Sequence, residues 1–402
     1  MTKVGVGHST KRRGGDAGTD AARTALASLD GAKPSVVLVF ANAGYDQVAL
    51  LSAIRELTGP DTPLCGCSSE GIIFRDGCSE QACAVNVMAI ASDRIAFHAF
   101  NVASYSKDPV ASGTEIAQRV AALGPERAKA LFLFPDGYTG NATEMLRALD
   151  AALPFRLAIA GGAAGAVLRT AVNQHNRTYQ YFDGGVHNDS ISVLVVGGSV
   201  ALDVAVSHGC TPLGLQRQVT AAEGGWLREI DGQPAWSVLR EYVDGDPEDL
   251  LGADIIHLCV GEPLDPALRA EYGSDYLIRT PLTLGQDKQS LFFPGGLQLG
   301  DRIQFTRRDP DKVATNAAQS AQTLARRRPG QSPLAVFQFD CAGRGQMLFG
   351  ESTADLAVRP LQNAFASDPP WLGFHTFGEI AQIGQRAFYH NYTVVLCALY
   401  EA

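Results

Sequence analysis

No stretch of about 18 consecutive apolar residues occurs in this 402-residue chain, so no membrane-spanning helix is expected. The most apolar segment, Ile191 to Val206, is broken by Gly197-Gly198 and Asp203. The basic residues near the N-terminus are not followed by the apolar run of a secretory signal. Positive charge is scarce. Lys and Arg number 33 against 42 Asp and Glu, a net charge of -9, which argues against nucleic acid as a partner. The one dense basic run, Arg326-Arg327-Arg328, closes an alanine-rich helical stretch, where cations suit a helix C-terminus; a phosphate or partner patch is the alternative. The eight cysteines include no C-x-x-C pair, and Cys65-Gly66-Cys67 is too tight for an ordinary disulfide or zinc knuckle. Reduced thiols and a cytoplasmic setting are therefore expected. Catalytic fingerprints are missing as well. Gly5-Val6-Gly7-His8 is not completed into a dinucleotide motif, and there is no P-loop and no G-x-S-x-G elbow. No C-x-x-C-H haem attachment exists, although a lone histidine can bind haem without one.

What is present fits a globular α/β protein of two domains, with 46% hydrophobic and 19% charged residues. A pattern of strand, helix, strand, helix, small-residue turn and closing strands recurs three times. In the first unit, a helix carries Ala22, Ala25, Leu26 and Leu29. Strand Ser35 to Asn42 follows, then a helix with Val48, Leu51, Ile54 and Leu57, the turn PLCGCSSEG (Pro63 to Gly71) and a strand ending at Ile90. The second opens with strand Arg94 to Val102. It continues through ALFLFPDG (Ala130 to Gly137), a helix starting at Asn141 and the turn LAIAGGAAG (Leu157 to Gly165), to the strand ending at Gly198. The third opens with RIQFTRRD (Arg302 to Asp309). It continues through LAVFQFDCAGRG (Leu334 to Gly345) and the turn LGFHTFGEI (Leu372 to Ile380) to FYHNYTVVLCAL (Phe388 to Leu399). A different segment, roughly 207 to 300, separates the last two units and holds an expected strand Asp254 to Gly261. A boundary near 205 divides the chain into domains 1–205 and 206–402. The short link from Ile90 to Arg94 favours antiparallel pairing there, so mixed sheets with helices packed outside are expected.

Small-residue turns at strand ends leave backbone N–H groups free for an anion, or simply allow close packing. Gly66, Cys67, Ser68 and Ser69 in the first turn, and Gly161 and Gly162 in the second, are candidate ligand contacts on this ground. Arg344 lies between two glycines after an apolar strand, an open setting for a guanidinium that grips a carboxylate, or for a structural ion pair. His375 and Glu379 have metal-ligand spacing only on a helix, which Phe377 and Gly378 oppose, so no metal site is expected. His187-Asn188 and His390-Asn391 fall at corresponding places at the start of closing strands and suit hydrogen bonding across a pocket, or a satisfied strand edge. The pocket is expected between the two domains.

PLCGCSSEG followed by ACAVNVMAI resembles the signature of the FIST N-terminal domain. EIDGQPAWSVLREYV, FFPGG, FDCAGRG, GFHTFGEI and FYHNYTVVLCAL resemble the FIST C-terminal domain, in order. The resemblance spans from about residue 33 to the end, leaving no room for a fused output domain. It implies a sensory, non-enzymatic protein of signal transduction that binds an amino acid or similar small anionic metabolite. A separate kinase or cyclic-dinucleotide enzyme would be its partner. No cofactor is expected. The alternatives are a haem-binding nitric oxide sensor and a hydrolase using Cys67 or Ser68 as nucleophile, which needs a neighbouring base. In the first turn Glu70 precedes Gly71, where the family has the acid after the glycine.

Overall fold

The computed structural model describes residues 1–81, 83–166, 177–243, 258–281 and 283–402. It is a mixed α/β fold dominated by three copies of one unit. The first comprises strand Lys3–Ser9, helix Gly14–Ala27, strand Val36–Asn42, helix Gln47–Thr58, strand Leu64–Ser69 and closing strand Val85–Ala91. The second runs Ile95–Ala103, Pro109–Leu123, Ala130–Pro135, Ala142–Ala152, Ala158–Gly162 and Ser190–Gly198 in the same order. The third has strands Val200–Ser207, Ala335–Cys341, Trp371–Thr376 and Val394–Glu401, with helix Pro310–Arg326 and a string of short helical turns between 342 and 362. In each unit the two middle strands pair in parallel, with Val39 opposite Gly66, Leu133 opposite Gly161 and Gln338 opposite Gly373. The closing strands run antiparallel to them, so the sheets are mixed.

No unit keeps its own hairpin. The first unit's hairpin, Gly71–Phe74 with Gly77–Ser79, pairs with Trp371–Thr376 of the third. The second unit's, Gln180–Phe182 with Gly185–His187, pairs with Leu64–Ser69 of the first. The third unit's, Glu379–Ile383 with Arg386–His390, pairs with Ala158–Gly162 of the second. The exchange is cyclic, and it laces the three sheets around one shared core. Phe40, Phe134 and Phe339 hold the same place in the three units. Their ring centroids lie 5.3, 5.9 and 6.3 Å apart, a closed aromatic triangle. Leu38, Phe132 and Phe337 form the next layer. Helices cover each outer face through a separate apolar cluster.

The described residues between Cys210 and Arg308 form an insertion with a sheet of its own and a core around Trp236, Val260 and Phe305. It enters between the opening strand and the helix of the third unit. RIQFTRRD is therefore the last strand of the insertion. The strand that opens the third unit is Val200–Ser207, paired along its length with Val394–Glu401. Of the expected strand Asp254 to Gly261, residues 254 to 257 lie outside the described residues, and the strand is seen at Leu258–Pro263. Val85–Ala91 and Ile95–Ala103 do not pair. The short link between them carries the chain from one sheet to the next.

The three small-residue segments are strands, not turns. Added Cβ atoms at Gly66 and Gly161 would overlap the carbonyl oxygens of Val39 and Leu133, and one at Gly373 would sit 2.5 Å from that of Gln338. Their missing side chains let neighbouring strands close up. The Arg326–Arg328 run does end a helix. Arg328 clamps Asp203 at 2.7 and 2.9 Å, and Arg327 donates to the Val204 carbonyl. Among the described residues no helix is long and apolar enough to cross a membrane.

Candidate functional site

The site lies where the third unit departs from the pattern of the other two. Phe337 and Phe339 point into the shared core, so Gln338 and Asp340 point outward beneath the helical cover. The matching outward residues are Val39 and Ala41 in the first unit, and Leu133 and Pro135 in the second. His375 likewise stands where the other units carry Ser68 and Ala163. Polar side chains at such buried positions cost folding free energy unless they are satisfied or used.

These side chains meet Arg344, Glu80 and Cys78. Arg344 is fully buried and donates from Nε to Asp340 Oδ1 at 2.6 Å. Asp340 Oδ2 accepts from Gln338 Nε2 at 2.9 Å, and Gln338 Oε1 accepts from the Trp371 indole at 3.1 Å. Among the described residues, the terminal nitrogens of Arg344, Nη1 and Nη2, have no hydrogen-bond partner. Nor has either ring nitrogen of the fully buried His375, whose Nε2 lies 3.5 Å from Glu80 Oε1. Both Glu80 oxygens accept from the Gln346 N–H at 2.9 Å. Burial, with the Glu80 and Asp340 carboxylates next in weight, pushes the Cys78 thiol up to about 12. From the insertion side a second buried arginine, Arg308, donates to the Gly343 carbonyl and stacks 4.0 Å over Tyr392, with Nε and Nη2 unpartnered among the described residues. The cover is irregular: 3-10 and α turns, then a π turn at Ala354–Val358 whose Ala357 carbonyl accepts from Gln338 at 3.0 Å. Such π turns recur at functional sites.

The expected open setting of Arg344 is corrected by this geometry. Its flanking glycines make room for other groups, since a Cβ on Gly343 would overlap the Tyr392 ring and one on Gly345 the Glu80 carboxylate. The first small-residue segment and the CAGRG turn do meet, because Gly71 and Gly345 border the same Glu80 side chain. They meet inside a closed cluster. An open cleft between the halves lies elsewhere, along the helix Ala142–Ala152. It has a volume of about 130 Å³ and is lined by Asn141, Arg147, Glu262, Gly296 and Asp301 among others.

The other expected residues divide between neighbours of the cluster and structural ties. Ser69 Oγ is buried without a partner among the described residues, and the adjoining Glu70 N–H donates to the His375 carbonyl at 3.3 Å. Ser68 Oγ donates to the Gly165 carbonyl and accepts from the Tyr179 N–H, both at 2.8 Å, tying the first unit to the second. Cys67 faces the shared core, and burial pushes its thiol well above the usual range. Gly66 and Gly161 serve strand packing, and Gly162 makes room for Thr376, whose Cγ2 a Cβ would meet at 2.5 Å. Glu379 does not join His375. Its oxygens accept from Thr376 Oγ1 and from the Thr393 N–H and hydroxyl, the latter two at 3.1 and 2.7 Å.

His187-Asn188 and His390-Asn391 do correspond, each pair followed by a residue of positive φ, Asp189 at 45° and Tyr392 at 52°. Each histidine is the last residue of an exchanged hairpin, and neither pair begins a closing strand. Nor do they share a pocket. His187 lies at the edge of the first sheet. His390 is buried against Tyr272, and Asn391 accepts from the Thr280 N–H at 3.3 Å, both joining the insertion. Cys78, Glu80, Gln338 and Asp340 went unnoticed in the sequence. For the last two a signal exists, since FQFD alternates aromatic and polar residues in a strand whose counterparts are apolar on both faces.

Residues 35–233 match the FIST N domain and residues 235–382 the FIST C domain. An uncharacterised protein of Mycobacterium bovis is 27% identical over 394 residues, 97% of each chain. One of Mycobacterium tuberculosis is 26% identical over 398 residues, covering 97% of this chain and 98% of that one. Among solved structures, a chorismatase aligns over 92% of this chain and 94% of its own, at 12% identity and a TM-score of 0.32. A cyanuric acid hydrolase from A. caulinodans aligns over 99% of both, at 10% identity and a TM-score of 0.33.

Proposed function

The chain belongs to the FIST family, whose domains are in general sensory modules of signal transduction, and on that premise we propose that it binds a small carboxylate metabolite at Arg344. An amino acid or a similar small anion fits this role. One observation carries the reading: a fully buried guanidinium is held in place through Nε by Asp340 while both terminal nitrogens lack partners among the described residues. A carboxylate satisfies such a fork with two parallel hydrogen bonds. Leaving it unmatched costs desolvation that ligand binding would recover. Entry requires the irregular cover between 342 and 362 to shift, and that movement is the signal we assign to a separate cytoplasmic partner, a histidine kinase or a cyclic-dinucleotide enzyme. The proposal is of a binder, not an enzyme. Neither nucleophile considered from sequence is well placed, since Cys67 lies in the core and Ser68 is committed to main-chain partners.

The test is calorimetry of the full chain against a panel of amino acids and dicarboxylates, repeated on Arg344→Lys. The lysine keeps the charge and loses the fork, so affinity for the carboxylate that binds is expected to fall at least about tenfold, or 1.4 kcal/mol. Unchanged affinity in the variant, or no binding of any carboxylate, overturns the reading.

A further inference from the structure

We propose that Cys78, Glu80 and His375 form a zinc site. The Cys78 thiol sulfur, a Glu80 carboxylate oxygen and a His375 ring nitrogen all lie within 4.8 Å of one another. Cys78 and Glu80 are two apart at the end of an extended strand, so both side chains rise from the same face. His375 comes from two strands away, across Gly71. Gly71 is what allows the approach: a Cβ there would stand 2.6 Å from Glu80 Cγ and 2.9 Å from His375 Cδ2. The donors therefore converge over a gap in the sheet surface that only glycine leaves open.

The histidine points independently to a ligand. It is wholly buried, and neither ring nitrogen makes a hydrogen bond among the described residues. Its distance to Glu80 Oε1, 3.5 Å, is too long for a hydrogen bond. It matches the roughly 3.4 Å separating two nitrogen or oxygen ligands on one tetrahedral zinc ion with bonds of about 2.0–2.1 Å. Glu80 is also oriented from behind, since the Gln346 N–H holds both its oxygens, the kind of outer contact that fixes metal ligands. A mixed sulfur, nitrogen and oxygen donor set favours zinc over magnesium or calcium, which take oxygen alone. Three protein ligands leave a fourth position for water or another group. Because the hairpin of Cys78 and Glu80 comes from the first unit and His375 from the third, the ion also pins one exchanged hairpin onto its host sheet.

This inference stands apart from the carboxylate reading, since metal alone is the probe. The chain is expressed without a metal-binding tag in zinc-supplemented medium and analysed by elemental mass spectrometry. About one zinc per chain is expected. Cys78→Ser and His375→Asn should each lower retained zinc at least tenfold, while Cys83→Ser, outside the cluster, should not. Cobalt-loaded protein should show a thiolate-to-cobalt charge-transfer band that Cys78→Ser abolishes. Circular dichroism of the variants in chelator, matching the parent in chelator, separates loss of the site from loss of the fold. Where Cys78→Ser fails to fold, loss of the cobalt band in His375→Asn decides. A parent chain with less than about a tenth of an equivalent, or a cobalt band that survives Cys78→Ser, would mean that His375 and Glu80 form an ion pair only, and the proposal falls.

Discussion

Glu379 shows at the level of one side chain how the fold sets chemistry. Burial pushes its carboxyl from an ordinary 4.5 up to about 8, against the pull of hydrogen bonds from Thr376 and Thr393. The folded chain thus holds a proton on Glu379 at neutral pH that the unfolded chain has released. Stability from this group is intact below about pH 4.5 and declines as pH rises toward about 8, by at most about 1.4 kcal/mol per unit. Glu379→Gln, which keeps the shape without the charge, should flatten this part of the stability profile in urea unfolding between pH 5 and 8. An identical slope in the variant would show that Glu379 is ionised in the fold. Arg344 teaches the complementary lesson about reading sequence. Two flanking glycines and a preceding apolar strand singled it out, but glycine shows only that space is needed, not whose. Here the space belongs to Tyr392, 48 positions later in the chain, and Glu80, 264 positions earlier. Partners so distant leave no local trace.

At the scale of elements, glycine both revealed and concealed structure. Strand Lys3–Ser9 escaped notice because Gly5 and Gly7 interrupt its apolar alternation. They are there because helix Gly14–Ala27 lies directly on the strand, and a Cβ at either would overlap the helix backbone. The small-residue strands were mistaken for turns for the same reason: composition reports tight spacing without saying whether a loop or a neighbouring strand imposes it. Where periodicity was strong, the reading succeeded. The central strands and their covering helices stand where alternation and helical spacing put them, although in the second helix Leu50 is buried while Val48 and Leu57 are exposed. Two substitutions separate the roles of glycine. Gly161→Ala meets the Leu133 carbonyl at a φ of 150° and should cost about 2–3 kcal/mol through strain and overpacking. Gly15→Ala, on a helix with its nearest contact at 3.9 Å, should stabilise by about 0.5–1 kcal/mol. Chemical denaturation of both variants measures the contrast, and a tolerated alanine at 161 would refute close strand approach as the reason for glycine there.

The whole molecule is more entangled than a division at residue 205 suggests. Fold class, the repeat and the helices outside mixed sheets were all legible. The exchange of hairpins was not, because strand pairing between distant segments depends on complementary edges that no local pattern encodes. Residues 1–205 alone would lack Glu379–Ile383 against Ala158–Gly162, and would bury only part of the shared aromatic core. That fragment is expected to show no cooperative urea transition by circular dichroism, whereas fragments 1–205 and 206–402 produced together should associate and unfold as one. A sharp transition for 1–205 alone would show that its two sheets are self-sufficient.

The cyclic exchange also imposes a schedule on the ribosome. Ala158–Gly162 is complete long before Glu379 emerges, and the intervening stretch of roughly 200 residues takes on the order of 10–40 s to make. Throughout that interval one sheet of the nascent chain has an unpaired border able to recruit strands from other chains. The short Ala-Ile-Ala-Gly-Gly sequence of that border is a poor template for such capture, with little side-chain surface to hold a stranger. The residues that let the finished sheets close tightly thus also guard the unfinished chain while it waits.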